Sequence, residues 1–270
     1  MEIIRYPRTP HLEGSNLQPG DEGHDRVKLA VLRARFPGAV CIIEEKIDAA
    51  NAGIFFDGDL HLRIQSRGHI LSGGARERQF GPLKEWAAAI EADLLERLED
   101  RYTMYGEWCW AHHTQFYDWL PDYFMEFDVL DRHTGTFLST PARRALLDGL
   151  PISSVPVIGT DWPDSAEALH KMVGPSLYRS PDWRDTLRMA AEQANVDPED
   201  ALRLADGDLA EGHYIKIEQG GAVLFRAKFV RPGFVQKIVE SGVHWSARPM
   251  IRNRLAPAAP AADLTREFGA

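Results

Sequence analysis

The chain has 270 residues, 44% of them hydrophobic and 26% charged, a globular composition with enough length for one large core. No apolar run approaches the ~20 residues of a membrane helix, and the N-terminus lacks the basic-then-apolar pattern of a secretory signal. The net charge of -9 excludes a basic nonspecific coat for nucleic acid, and two lone cysteines, Cys41 and Cys109, exclude a disulfide framework and point to a reducing, cytoplasmic compartment.

Residues 1–25 are rich in Pro, Gly and polar side chains and predict an extended lead-in. Residues 39–43 are apolar and β-branched, a buried strand that runs into Glu44-Glu45-Lys46. Residues 53–56 and 60–65 predict a hairpin turning at Asp57-Gly58, followed by a Gly-rich loop at Ser72-Gly73-Gly74. Residues 82–101 predict one long helix, because Trp86, Ile90, Leu94, Leu95 and Leu98 fall at helical spacing. Residues 122–130 are strand-like. Residues 140–150 and 183–194 predict helices, the second with Asp182 as N-cap. Residues 213–218 and 222–230 predict a second hairpin turning at Gly220-Gly221. Residues 256–270 are Ala/Pro-rich and then polar, a loosely ordered tail. Strands bracket helices without a βαβ rhythm, so the expected fold class is α+β with mostly antiparallel sheets flanked by helices.

Several familiar chemistries are absent. There is no phosphate-cradling P-loop, no dinucleotide fingerprint and no G-x-S-x-G elbow. Cys109, His112 and His113 are close together but lack a second ligand pair at zinc spacing, which favours a packed or surface role. Lysines, arginines and carboxylates must therefore carry the chemistry. Lys46 stands at a strand end in Glu45-Lys46-Ile47-Asp48-Ala49-Ala50-Asn51. An amine attacks phosphorus only when uncharged, so the expected pKa is depressed by desolvation or nearby positive charge. A polyphosphate also needs cations around it. Downstream come Ser66-Arg67, then Gly106-Glu107, then Phe127-Asp128 on a strand, then Glu211-Gly212. Arg226 and Lys228 follow, two apart and so on one strand face. From Arg226 to Arg254 the only acid is Glu240, against Arg226, Lys228, Arg231, Lys237, Arg248, Arg252 and Arg254.

This ordered series resembles the covalent nucleotidyltransferases, the superfamily of polynucleotide ligases and capping enzymes, and most closely the RNA ligase 2 type of ATP-dependent RNA ligase. It runs from Glu45 to Phe229. Asn51, five residues after the lysine, resembles the RNA ligase version, where DNA ligases usually carry arginine. The resemblance implies a ligase-type, ATP-grasp-like nucleotidyltransferase domain over residues 1–255. It implies ATP as AMP donor and Mg²⁺ or Mn²⁺ as cofactor. Lys46 would carry AMP. Arg67 would contact phosphate, Glu107 the ribose hydroxyls, and Phe127 the adenine face, with backbone near Glu45 reading the purine edge. Glu211 would hold the metal, Arg226 and Lys228 the α-phosphate, and Asp48 and Asn51 would line the pocket. The substrate would be RNA ends or a nicked RNA duplex, in RNA repair, with an end-healing kinase or phosphatase as partner and no membrane. Arg248, Arg252 and Arg254 would supply RNA contacts, since too little chain follows Lys228 for an OB-fold of about a hundred residues. The competing functions are a GTP-using guanylyltransferase of the capping type, a DNA ligase, and a non-catalytic nucleotide- or RNA-binding module on the same scaffold. Two departures stand out: Ala49 replaces a family glycine, and Arg226 replaces a lysine.

Overall fold

The computed structural model describes residues 3–17, 26–205, 207–234 and 249–257. In chain order it begins with β1 (His11–Leu12), β2 (Arg26–Val27), α1 (Leu29–Arg35), β3 (Val40–Glu45), β4 (Ala50–Phe56) and β5 (Leu62–Ser66). It continues with α2 (Gly81–Ala89), α3 (Glu91–Leu98), β6 (Tyr102–Trp108), β7 (Phe124–Asp131), β8 (Thr136–Phe137) and α4 (Thr140–Leu147). Then come β9 (Ser153–Ser154), β10 (Val157–Gly159), α5 (Ala166–Lys171), α6 (Trp183–Gln193), α7 (Pro198–Leu204), β11 (Gly212–Gln219) and β12 (Ala222–Val230).

The strands form two sheets, one ordered β10-β3-β11-β12-β1-β2 and the other β5-β4-β6-β7-β8 with β9 beside β7. The long pairings, β3 with β11, β11 with β12, β4 with β5 and β6, and β6 with β7, are all antiparallel. This is the expected α+β class. Period-two alternation explains how the first sheet divides its faces. Cys41 and Ile43 of β3 and Ile215 and Ile217 of β11 enter one apolar core with Leu29 and Leu32 of α1. Their neighbours Glu44, Tyr214 and Lys216 point the other way, toward the second sheet. That second sheet buries Ile54, Phe56, Met104 and Val129 against Leu83 and Ala87 of α2 and Leu94 and Leu98 of α3.

The helix expected over residues 82–101 is two helices. Ile90, at φ -118° and ψ 21°, leaves the helical region and separates α2 from α3. Each half buries its own i, i+4 pair, Leu83 with Ala87 and Leu94 with Leu98, so a continuous rod is not needed to cover a twisted sheet. Asp182 does precede α6, but its carboxylate caps nothing: at φ -99° and ψ 17° the residue is not in the extended geometry that aims a side chain at the first turn. Sequence periodicity did not identify β6, the centre of the second sheet, because Gly106 interrupts its alternation and brings a register shift.

The lead-in is part of the fold. The Ile4 carbonyl accepts from Gln65 Nε2 at 2.8 Å and from Tyr105 Oη at 2.7 Å, on the second sheet. Lys228 N donates to the Pro10 carbonyl at 2.9 Å and His11 pairs with Lys228, on the first. Residues 4–10 thus form a strap between the sheets, and Tyr6 within it is 7% exposed.

Candidate active site

Where the two sheets face one another, six charges, all but the partly exposed Arg226 fully buried, form a neutral set: Glu44, Glu126 and Asp128 with Arg143, Lys216 and Arg226. Arg143 of α4 reaches Glu44 of the first sheet at 2.7 Å and also pairs with Glu126 of the second. Lys216 lies 2.9 Å from Glu44 and 3.4 Å from Asp128. Such groups tolerate burial only when paired, so the network fixes how the sheets stand together.

A cavity of about 310 Å³ opens above it, lined among others by Lys46, Asn51, Arg67, Glu107, Phe127 and Lys228. Lys46 enters just past the end of β3, its amide donating to the Gly212 carbonyl at 3.0 Å. Its Nζ lies 2.7 Å from Glu211 Oε2, with the lysine side chain 22% exposed and the glutamate 1%. Gly212 makes this approach feasible: a Cβ there would stand 1.9 Å from the Phe229 carbonyl oxygen, at a φ of +156°. The E-G pair is thus an acid followed by the one residue that lets β11 close on β12. The G-E pair has the same logic, since a Cβ on Gly106 would meet the Phe124 ring at 2.5 Å. Glu107 follows and pairs with Asn51 directly across β4 and β6.

Asp48 anchors the loop after the lysine. Its Oδ2 accepts from Thr114 N at 2.7 Å and Gln115 N at 3.0 Å, and its own amide donates to Tyr117 Oη at 2.8 Å. Ala49 keeps an ordinary negative φ; positive values at described non-glycine residues occur only at Leu60, Glu99 and Asn195. The missing family glycine therefore costs this turn nothing.

Lys46 departs from expectation in its charge. Burial pulls its pKa down, but Glu211, Asp48 and Glu107 outweigh that and hold it above the ordinary lysine value. The surrounding acids thus favour the ammonium form of the lysine. The acids respond oppositely. Burial pushes Glu107 up to about 8 and Glu211 up to about 7, against the pull of Lys46. Burial likewise raises Glu45 to about 7, although Ser176 Oγ and Leu177 N donate to it at 2.5 and 2.8 Å.

Glu107 Oε2 and Asn51 Oδ1 are buried without a hydrogen-bond partner among the described residues. Buried polar atoms rarely stay unsatisfied, and these two border the cavity. The sequence of the chain matches the RNA ligase family over residues 39–230. The chain belongs to the RNA ligase family.

Among solved structures, a variant of the Naegleria gruberi RNA ligase with ATP and Mn has a TM-score of 0.50 and 18% identity, over 85% of this chain and 56% of its own. The same ligase with PPi gives 0.48 at 18% identity, over 86% and 61%. An archaeal ATP-dependent RNA ligase gives 0.48 at 15% identity, over 85% and 48%. This RNA ligase family member therefore spans roughly half to three-fifths of the length of those proteins. At 18% identity the first of these likenesses is one of fold alone. No curated protein matches the sequence.

The structure brings Glu45, Lys46, Asp48, Asn51, Arg67, Glu107, Phe127 and Lys228 to one cavity, with Glu211 on Lys46. Arg226 is not in the lining. Its Nε donates to Asp128 Oδ2 at 3.0 Å and its guanidinium lies 3.6 Å from the Phe137 ring centre. The buried Asp128 has captured it, and Lys228 alone of that pair lines the cavity. Arg252 is exposed, stacked 3.9 Å from the Trp110 ring centre, and donates to Tyr123 Oη at 2.9 Å. Arg254 pairs with Gln193. Between them Asn253 is fully buried, accepting from Tyr117 N at 3.0 Å and donating to the Cys109 carbonyl at 2.8 Å, so this segment braces the loop that holds Asp48. Arg248 lies outside the described residues. Cys109, His112 and His113 are packed side chains, and burial lowers His112 to about 4. Among the described residues, the only three-ligand metal cluster is Asp57, Asp59 and His61, at the β4–β5 turn and away from the cavity.

Sequence reasoning missed Tyr6, Thr9 and Tyr214, which also line the cavity. Tyr6 meets Phe127 edge-on, ring centres 5.1 Å apart at 87°. The only signal was a lone aromatic in a polar, proline-flanked segment.

Proposed function

We propose that this protein is an ATP-dependent RNA ligase whose Lys46 accepts AMP and passes it to a 5′-phosphate. The observation that carries this reading is the lysine itself: it is 2.7 Å from a buried carboxylate in a cavity with phosphate-binding cations and an aromatic face. In the first step the Lys46 ammonium gives a proton to Glu211, whose affinity for it burial has raised. The neutral amine attacks the α-phosphorus; the N–P bond forms as the bond to pyrophosphate breaks. Arg67 and Lys228 offset the charge growing on the phosphates. Glu107 and Asn51 find in the ribose hydroxyls the partners they lack. The base lies on Phe127. AMP then moves to the RNA 5′-phosphate, and a 3′-hydroxyl attacks that phosphorus and releases AMP.

The donor set suits a divalent cation. Glu211 offers hard carboxylate oxygens, of which Oε2 faces Lys46. Glu211 would help hold magnesium or manganese, which when bound would neutralise phosphate charge. The natural substrate is broken or nicked RNA in repair, in a cytoplasm compatible with the free, buried Cys41 and Cys109. An end-healing kinase or phosphatase would supply the 5′-phosphate and 3′-hydroxyl. Residues 1–255 form the catalytic domain. Arg252, with Arg254 beside it and Arg248 upstream, supplies RNA phosphate contacts.

Incubation with α-labelled ATP and a divalent cation, followed by denaturation, tests the covalent step. Label stays on the protein and disappears in Lys46→Ala. No retained label, or equal labelling of the variant, defeats the reading.

A further inference from the structure

Lys46 and Glu211 both stand just outside the sheet that brings them together. The β3–β11 ladder pairs Glu45 with His213, and one further bond, from Lys46 N to the Gly212 carbonyl, follows it. Past that point the chain after Lys46 and the chain before Glu211 leave the strands. Both side chains turn about several bonds, so a shift in either backbone segment changes where the amine points.

A third segment, the loop after β6, holds the other two. Gln115 and Tyr117 are fully buried in it, and neither lines the cavity. Gln115 Nε2 donates to the carbonyl of Leu209, two residues before Glu211, at 2.8 Å. Gln115 Oε1 accepts from Tyr117 Oη at 3.2 Å. Tyr117 Oη in turn accepts from the amide of Asp48, two residues after Lys46, at 2.8 Å. The polarity of this chain is fixed at both ends. A backbone carbonyl only accepts and a backbone amide only donates, so the Gln115 amide group has one workable orientation and the single phenol proton of Tyr117 goes to it. A second connection runs in parallel, since Thr114 N and Gln115 N donate to Asp48 Oδ2 at 2.7 and 3.0 Å. The Tyr117 amide is itself anchored on Asn253 Oδ1 at 3.0 Å.

Packing alone does not account for a glutamine at a position 0% exposed. Burying an amide side chain is unfavourable unless it is hydrogen-bonded, and an apolar residue of similar length would fill the space without that requirement. Here the two ends of the amide are used in opposite directions, one toward each partner of the Lys46–Glu211 pair.

We propose that Gln115, through Tyr117, is a positioning residue that sets the Lys46 amine against Glu211 and the phosphorus it attacks. The inference rests on the proposed transfer of AMP to Lys46. A displacement on the order of 1 Å at a reacting group slows a reaction about a hundredfold. Neither side chain lines the cavity, so the loss falls on the rate and leaves nucleotide binding in place.

Gln115→Met keeps the length of the side chain and removes both of its bonds; Tyr117→Phe removes the hydroxyl alone. Single-turnover labelling with α-labelled ATP and Mg²⁺ separates rate from amount. At saturating ATP the first-order rate constant is expected to fall at least about tenfold in Gln115→Met, and in the same direction but less in Tyr117→Phe. The ATP dissociation constant and the final amplitude stay unchanged. A side chain that only stabilised the fold would lower the amplitude and leave the rate constant of the folded fraction where it is. That result, or a loss of rate matched by an equal loss of ATP affinity, overturns the proposal. Crystal structures of the wild type and the variants without nucleotide give an arm independent of AMP transfer. The Lys46 Nζ–Glu211 Oε2 contact is expected to open in the variants, and its retention overturns the proposal. Either variant decides if the other does not fold. No label on the wild type, with the contact opened in the variants, defeats the ligase reading and leaves the positioning of the pair standing. Normal labelling with unchanged variant rates defeats the positioning role alone.

Discussion

Lys46, the proposed nucleophile, lies in this cavity 2.7 Å from Glu211. The surrounding carboxylates favour the proton more strongly than burial disfavours it. The sign of the pH effect follows. Below the raised pKa the neutral fraction grows about tenfold per pH unit. Modification of Lys46 by an amine-selective acylating reagent, followed by peptide mass spectrometry, is therefore expected to rise in that way from pH 7 to 9. In Glu211→Gln, the main contribution holding the pKa up is gone, and the curve moves to lower pH. A wild-type curve that levels off near neutral pH, or one that Glu211→Gln leaves in place, would show that the carboxylates do not control the amine. The same logic explains why residue type alone misled about the pKa: Lys46 was legible as a candidate nucleophile at a strand end, but its charge state depends on Glu107 and Glu211, 61 and 165 positions away in the chain.

At the scale of elements, α4 is the rivet. It places Arg143, which is fully buried, between Glu44 on β3 and Glu126 on β7. Truncating one member of a buried ionic set leaves charges unpaired at a cost of about 3–5 kcal/mol. Arg143→Met is expected to lose stability of that size in a urea titration, although the arginine does not line the cavity. A change under about 1 kcal/mol would mean the network is not load-sharing between the sheets. Elements with a strong local signal were read well. The β4–β5 and β11–β12 hairpins have alternating faces and turn residues, and helices over Thr140–Leu147 and Trp183–Gln193 were found close to their observed ends. The short α1, α5 and α7 and the glycine-interrupted β6 have too few periods for a pattern to stand out.

For the whole molecule, the strap of residues 4–10 ties the two sheets together. These residues bridge the sheets through Ile4 and Pro10 and insert Tyr6 against Phe127, Asp128 and Arg226. Removing residues 1–10 opens one wall of the cavity and uncovers Asp128. ATP affinity is expected to fall at least about tenfold, by loss of the Tyr6–Tyr214 bond and of Phe127 support, with a lower melting temperature. Unchanged affinity measured by titration would remove the strap from the site.

The sequence by itself determined the family and most of the charged residues that line the cavity. A lysine after an apolar strand, then an ordered set of acids, an aromatic and cations, are local features that survive in one dimension. The tertiary structure decided the rest. It chose Lys228 over Arg226 for the cavity, because Asp128 on another sheet needed a cation. It kept Ala49 unstrained and turned a proline-rich lead-in into a cavity wall. Those outcomes depend on burial and on charges brought together from distant positions, and neither quantity exists until the two sheets have closed on each other.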